Sequence, residues 1–331
     1  MGYITIEHLY KHPEFFLLGG QICVMEKIHG TSTWISSNGS VSQYHSGGET
    51  EESFGKLFDK DQINQELKKI LLENNWKTIR VHGEAYGGKQ QKMKDTYGDK
   101  LKFIVFDILV SDSSEYFLDY IQAEKIAARL NLEFVHYCIG PNTAEWIEEQ
   151  TNLPSVQAER NGMGTDRLRE GVVVKPIKEM MFNGKRAILK HKCGPFWETK
   201  KPGVLLLGQS TKLVKLSDLL ETSMTDAEIA DNWVTSMRAD HVLDHLLANK
   251  PDPQSGNKKI EVSDINTFID MMLSDIKKES VEEIQEHEWT KKLIREIRKK
   301  SMSLLKQKVN TSPDDELWSQ QLLTKINLMK F

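Results

Sequence analysis

The chain has 331 residues, 39% of them hydrophobic and 28% charged, the make-up of a globular protein with one large or two ordinary domains. Lys and Arg total 44 against 48 Asp and Glu, a formal net charge of −4, which excludes a uniformly basic nucleic-acid binder. No apolar run approaches the ~18 residues that span a bilayer, MGYITIEHLYKHPEFF lacks the basic start and apolar core of a signal peptide, and Ile6 breaks the myristoylation pattern at Gly2.

In chain order, the first two thirds predict strands broken by turns and a few helices. QICVME (21–26), KTIRVHGEA (77–85), LKFIVFDILV (101–110), LEFVHYCIG (132–140), GVVVKP (171–176) and RAILKH (186–191) are short and rich in β-branched and aromatic residues. INQELKKILLENN (63–75) and YIQAEKIAARL (120–130) repeat apolar residues every three or four positions and predict helices. This mixture predicts an α+β domain with largely antiparallel sheets. KCGPFWETKKPG (192–203) reads as a linker, so the expected domains are 1–203 and 204–331.

Beyond the linker the pattern is helical. Thr225 and Glu228 form a capping box, with Ile229, Trp233 and Met237 on one helical face behind it. SDINTFIDMMLSDIKK repeats the pattern with Ile265, Phe268, Ile269, Met272 and Ile276. A long helix is expected over 281–308, using Ile284, Trp289, Leu293 and Ile297. Ser312 and Pro313 predict an N-cap and first turn of a further helix, and 251–259 a loop. The C-terminal domain is thus expected to be all-α.

Several chemistries are missing. There is no GxxxxGK[ST] loop, no dinucleotide fingerprint around Gly162 and Gly164, no zincin motif at His287-Glu288, and no GxSxG elbow. Cys23, Cys138 and Cys193 are odd in number and far apart, against a disulfide framework or a Cys-based zinc site, so a reducing, cytoplasmic compartment is expected.

What remains is an ordered set of charged and aromatic positions. In Glu26-Lys27-Ile28-His29-Gly30-Thr31 a lysine leaves an apolar strand just before a glycine. A lysine amine, with a free pKa of about 10.4, becomes a nucleophile when desolvation or nearby cations expose its lone pair. Gly83-Glu84 ends a strand, where a carboxylate can accept from a ribose. FIVFDI (103–108) offers Phe106 as a stacking face for a base. Glu170-Gly-Val-Val-Val-Lys175 brackets a strand with an acid and a base, and period two puts 170, 172 and 174 on one face and 171, 173 and 175 on the other. Glu170 suits a hard Mg²⁺. Lys190 and Lys192, two apart, point to one side and can cradle phosphates. Each segment alone is also an ordinary strand end, core aromatic or charged surface strand.

Together, EKIHG, GE, FIVFDI, EGVVVK and LKHK resemble the covalent nucleotidyltransferases, the polynucleotide ligases and mRNA capping enzymes. EKIHGT followed by a helical C-terminus is similar to the type 2, nick-sealing RNA ligases of phages and their relatives. The motifs span 26–192. The resemblance implies that 1–203 is an adenylyltransferase domain, that ATP and Mg²⁺ (or Mn²⁺) are the cofactors, and that the partner is RNA. A nicked duplex or RNA–DNA hybrid with 3′-OH and 5′-phosphate ends, sealed by a monomer, is expected. Lys27 then carries AMP, His29 supports ligation, and Glu26 belongs to the nucleotide-binding motif. Glu84 binds the ribose, Phe106 stacks on adenine, Glu170 lies at the metal, Lys175 contacts phosphates, and Lys190 and Lys192 hold the α-phosphate and orient pyrophosphate.

Two departures stand out. Family members often have Asn where this chain has Ser32, and many carry an arginine about twenty residues past the lysine, where Tyr44-His-Ser-Gly-Gly-Glu49 has none. Recognition of the polynucleotide end is expected to differ. Two alternatives stay open: a DNA ligase or other covalent nucleotidyltransferase, against which Arg238-Ala-Asp240-His241 is only a partial RxDK-like match in a helical pattern, and a non-catalytic RNA-binding subunit that keeps the shell. The charge is polarised: residues 171–215 carry +8 and 291–308 carry +7, leaving −19 for the remainder. Phosphate binding follows such local charge, so the acidic total does not exclude a polynucleotide enzyme.

Overall fold

A computed structural model describes residues 2–182, 184–196, 225–248, 250, 260–280 and 289–310. The chain divides into two compact units, the first built on the described residues up to Phe196 and the second on the helices from Asp226 onward. The expected boundary at 203/204, the loop at 251–259 and the helix after Ser312 lie outside the described residues.

Among the described residues the first unit has twelve strands: β1 Glu7–His8, β2 Gln21–Lys27, β3 Thr31–Ser37, β4 Ser42–Ser46, β5 Thr78–Tyr86 and β6 Lys102–Ser111, then β7 Glu115–Phe117, β8 Tyr137–Pro141, β9 Gly171–Pro176, β10 Met181–Phe182, β11 Lys185–Arg186 and β12 Leu189–Lys192. One five-stranded sheet runs β1-β12-β9-β2-β8, a second β4-β3-β5-β6-β7, and β10 and β11 pair alone. Every pairing is antiparallel except the short β1–β12 contact, as expected for an α+β fold.

Alternation decides what each sheet face buries. In the first sheet Ile22, Val24, Val172, Val174 and Leu189 point into a small core with Leu9, Phe15 and Ile147. Cys23 and Met25 point the other way, into a large core with Ile35, Ile79, Val81 and Ile108 of the second sheet. The helix Lys60–Asn74 covers that core with Ile63, Leu67, Ile70 and Leu71. Asp59 caps its first turn, and Asn75 ends it in the left-handed conformation that asparagine tolerates. The helix Tyr120–Arg129 adds Ala123, Ile126 and Ala127.

Three expectations change. LEFVHYCIG forms a strand only from Tyr137, because 132–136 meets the sheet through one isolated bridge, Val105 to Phe134. RAILKH is divided between the end of β11, at Arg186, and β12, which starts only at Leu189. Lys192, taken as the linker's first residue, ends β12, and Gly194–Phe196 is a 3₁₀ turn that buries Phe196.

In the second unit Thr225 and Glu228 form the capping box, and the helix Asp226–Trp233 buries Ile229, Ala230 and Trp233. Met237 lies instead on a second helix, Ser236–Ala248, which also holds Arg238, Asp240 and His241. The helix Asp264–Ser280 buries Ile265, Phe268, Ile269, Met272 and Ile276 in the same core. Leu293 and Ile297 join them from Lys291–Asn310, with Trp289 packed just before it; Ile284 lies outside the described residues.

Candidate active site

The first sheet sets three site residues in one cross-strand row. Lys27 pairs with Gly171, and Gly171 pairs with Lys192, so β2, β9 and β12 present the two lysines on one face with no side chain between them. Gly171 is required here: a Cβ on it would stand 2.2 Å from the His191 carbonyl oxygen. The next row on the same face is Lys190, Val173 and Met25. Lys190 and Lys192 thus point to one side, as their spacing predicts.

Glu170 collects the cations. Its Oε2 lies 2.7 Å from Lys27 Nζ and 3.1 Å from His29 Nδ1, and its Oε1 lies 3.2 Å from Lys192 Nζ. Period two alone puts Glu170 on the face of Val172 and Val174, away from the lysines. It escapes that rule because β9 begins only at Gly171, whose φ of +153° changes the direction of the chain. The Cys193 N–H donates to the Glu170 carbonyl. Beside it, Arg169 is buried and donates to the carbonyls of Pro154 and Gln150, fixing the segment from which Glu170 reaches out. Burial by itself would raise the Glu170 carboxyl; Lys27, Lys192 and His29 outweigh it and hold the group well below the usual carboxylate range.

Glu84 approaches from β5 in the second sheet. Its carboxylate accepts from the Gly30 N–H, and burial pushes it up to about 8, with Glu170 raising it further and Lys27 opposing. At neutral pH it is a protonated acid that can donate as well as accept. Gly30 has no room for a side chain, since a Cβ there would lie 2.2 Å from the Ala85 carbonyl oxygen. His29 is buried, its backbone N–H donating to the Tyr97 hydroxyl at 3.3 Å.

Phe106 stands at a β-bulge. Gly83 pairs with Val105 and His82 with Asp107, so Phe106 is the residue left out of the ladder. A bulge re-aims a side chain beside a site. The Phe106 ring meets the Tyr3 ring edge-on at 4.9 Å, and Tyr3 also touches His82 at 4.9 Å.

Two residues of the sequence-derived set stand apart from the Glu170 cluster. Lys175 shares the lysine face but pairs with Cys23, four residues up β2 from Lys27, roughly 13 Å at ~3.3 Å per residue. Its buried ammonium lies 3.2 Å from Glu179 and 3.6 Å from Asp107. Arg186 completes that network, 2.5 Å from both Asp107 and Glu179. Burial would raise Asp107 too, but Lys175 and Arg186 hold it low. Glu26 is on the opposite sheet face from Lys27. It accepts from the Ser155 hydroxyl at 2.5 Å and from the backbone N–H groups of Val156 and Gln157 at 3.0 and 3.3 Å. Those contacts cap the short helix Val156–Arg160 and turn this carboxylate away from the lysine row.

Sequence reading missed Asp107, Arg169, Arg186 and Tyr97 as supports. Only Asp107 carried a signal, as a charged residue inside an apolar strand.

The family model described as RNA ligase matches residues 20–192, over half of the 331. No curated protein matches. Among solved structures, a mutant Naegleria gruberi RNA ligase with ATP and Mn is 18% identical at a TM-score of 0.44, covering 57% of this chain and 55% of that one. The N. gruberi RNA ligase with PPi is 18% identical at 0.44, and an apo mutant 16% identical at 0.47, each covering 59% of this chain and 57% of that one. The chain therefore spans a little over half the length of these structures. With the family's own model running from the strand before Lys27 through Lys192, the chain belongs to the RNA ligase family.

Proposed function

We propose that this chain is an ATP-dependent RNA ligase that joins 3′-OH and 5′-phosphate ends through lysyl-AMP on Lys27 and 5′-adenylylated RNA. One observation carries the reading: Lys27, Lys192 and His29 converge on one buried carboxylate, that of Glu170. Such a set can exchange an internal carboxylate for phosphate oxygens.

Lys27 attacks the α-phosphorus as an amine, with the proton displaced from its nitrogen passing to water. The new N–P bond forms as the bond to pyrophosphate breaks. Lys192, with Lys190 on the same face, stabilises the charge spread over the phosphate oxygens, the main contribution a protein makes to phosphoryl transfer. In the second step a 5′-phosphate oxygen of RNA takes the AMP and Lys27 recovers its amine. In the third, a 3′-hydroxyl oxygen gives its proton to water and attacks the phosphorus of the RNA 5′-phosphate, closing the phosphodiester and releasing AMP. Glu84 and Phe106 are assigned to ribose and adenine.

Among the described residues no group of three His, Cys, Asp or Glu side chains is placed to hold a metal by itself. Mg²⁺ fits Glu170 nonetheless, because that ion is typically held by one or two carboxylates together with substrate phosphates. Bound there, Mg²⁺ or Mn²⁺ supplies charge neutralisation. We assign 1–203 as the adenylyltransferase domain and 204–331 as a helical domain, acting as a cytoplasmic monomer on nicked duplexes or hybrids. A helical rather than barrel-like second domain favours RNA over DNA as substrate.

Incubation with α-labelled ATP and Mg²⁺, then denaturation, tests the first step. Wild type is expected to retain label and Lys27→Ala to lose it; an unlabelled wild type, or equal labelling of the two, overturns the assignment. Sealing only of all-DNA nicks would overturn the choice of RNA.

A further inference from the structure

Three buried nitrogens lie together on the face of the second sheet that carries Glu84, and none has a hydrogen-bond partner: Trp34 Nε1, Arg80 Nε and His82 Nδ1. Trp34 pairs with His82 across β3 and β5, Arg80 is two residues before His82, and the Arg80 guanidinium lies 4.9 Å from the Trp34 ring centre. Buried polar groups are nearly always satisfied. Three orphans side by side mark a place where something outside the fold supplies the partners.

Space for it exists. A cavity of about 930 Å³ opens over Arg80 and His82, though not Trp34, and its lining joins Tyr116, Phe117 and Met180 to the carboxylates of Glu7, Glu14, Glu115 and Glu179. It adjoins the candidate active site: His82 is two residues from Glu84 on the same strand face, and Tyr3, which also lines the cavity, packs on Phe106. Among the described residues no carboxylate forms an ion pair with Arg80. His82 is 2% exposed, and burial pushes its imidazole down to about 4, so it is neutral at pH 7. Glu7, Glu14 and Glu179 are engaged with Lys185, His12 and Arg186, so the Arg80 guanidinium is left to attract a phosphate. Aromatic and apolar walls suit a base. A neutral imidazole can exchange a hydrogen bond with a hydroxyl or a base edge.

We propose that this cavity takes one nucleotide of the RNA being joined, with its phosphate on Arg80, its base against Tyr116 and Phe117, and its sugar or base edge on His82. The inference rests on the RNA-ligase reading above, and it places the strand next to the AMP site on the same sheet face.

The test separates nucleotide chemistry from strand binding. Arg80→Ala and Arg80→Lys are compared with wild type in the full chain, with folding checked by thermal melting. Labelling of Lys27 by α-labelled ATP is expected to stay within about twofold, since Arg80 is outside the Glu170 cluster. Affinity for a 5′-phosphorylated RNA 12-mer and for a nicked RNA duplex, measured by anisotropy across a salt series, is expected to fall about tenfold in Arg80→Ala, with the salt slope reduced by about one. Arg80→Lys should recover part of the affinity. Unchanged RNA affinity and sealing in Arg80→Ala overturn the inference. So does a tenfold rise in the ATP concentration needed for labelling with RNA affinity intact, which would assign the cavity to free nucleotide. A wild type that never labels overturns the ligase reading instead, leaving the two failures distinct.

Discussion

Lys27 and Lys192 flank Gly171 in a single cross-strand row and share one acceptor, the Glu170 carboxylate. Two ammonium groups brought this close repel each other, and a buried anion between them offsets the repulsion. The resting arrangement therefore holds two cations and a histidine around one buried anion, the charge pattern that the proposed function requires for phosphate.

Gly171→Ala should damage that row. The added methyl would stand 2.2 Å from the His191 carbonyl oxygen, a backbone atom that moves only if β12 moves. A stability loss of about 1–3 kcal/mol is expected from such overpacking. Lysyl-AMP formation should fall roughly 100-fold as Lys192 shifts against Lys27. Chemical denaturation and the labelling assay measure the two effects; a variant labelling at the wild-type rate would show that the row spacing is irrelevant.

Glu170→Gln leaves three cationic or donor groups around a neutral amide. Labelling should drop by about 100-fold, since Lys27 loses the group that positions it. The pH dependence has a definite sign. Glu170 is held well below its ordinary value of 4.5 in the folded chain, so its contribution to stability is full above pH 4.5 and is lost as pH falls through the lower, folded value. The melting-temperature gap between wild type and Glu170→Gln should be widest near neutrality and close below pH 4.5. A gap independent of pH would contradict the ionised state of this carboxylate.

Glu84 has the opposite sign. Its folded value of about 8 lies above the ordinary 4.5, so the wild type loses stability as pH rises from 4.5 to about 8 and levels off beyond. Glu84→Gln has no such loss. The variant should gain on the wild type steadily across that window, by a few kcal/mol at most. Parallel melting curves from pH 5 to 9 would show that Glu84 is ionised throughout.

Glu26→Ala tests a structural role. Its carboxylate serves Ser155 and the first amides of Val156–Arg160, so removal leaves buried donors unsatisfied. A loss of about 1–3 kcal/mol is expected. Ser155→Ala should also destabilise, because it removes both the hydroxyl that donates to Glu26 and the cap that accepts from the Ala158 N–H. Equal stability of wild type and Glu26→Ala, measured by urea unfolding, would rule this role out.

The strands with clear apolar content were readable from sequence: β2, β5, β6 and β9 fall within two residues of their expected bounds. β3 and β4, built from TSTWISS and SQYHS, were not, because their polar faces hide the alternation. The short helices Ala144–Thr151 and Val156–Arg160 carried too few turns to show a period. In the site, strand periodicity correctly put Lys190 and Lys192 on one side, and the motif order pointed to Lys27 and Glu170. It failed for Glu170's direction, because alternation holds only inside a strand and this residue precedes one. It could not find the Arg80, Trp34 and His82 cluster, whose members come together only through the β3–β5 register.

With Phe106 outside the ladder, β6 behaves as two half-strands of opposite phase. Ile104 and Asp107 pair with Glu84 and His82, two positions on one face of β5, although they stand three positions apart with two residues between them. Removing either residue between them, Val105 or Phe106, would restore unbroken alternation and keep Asp107 opposite His82, but would leave no aromatic ring at the bulge to meet Tyr3. Substitutions at 106 that keep a flat ring should therefore be tolerated far better than a one-residue deletion beside it. The length of this strand, counted in residues, is as much a part of the site as any side chain it displays.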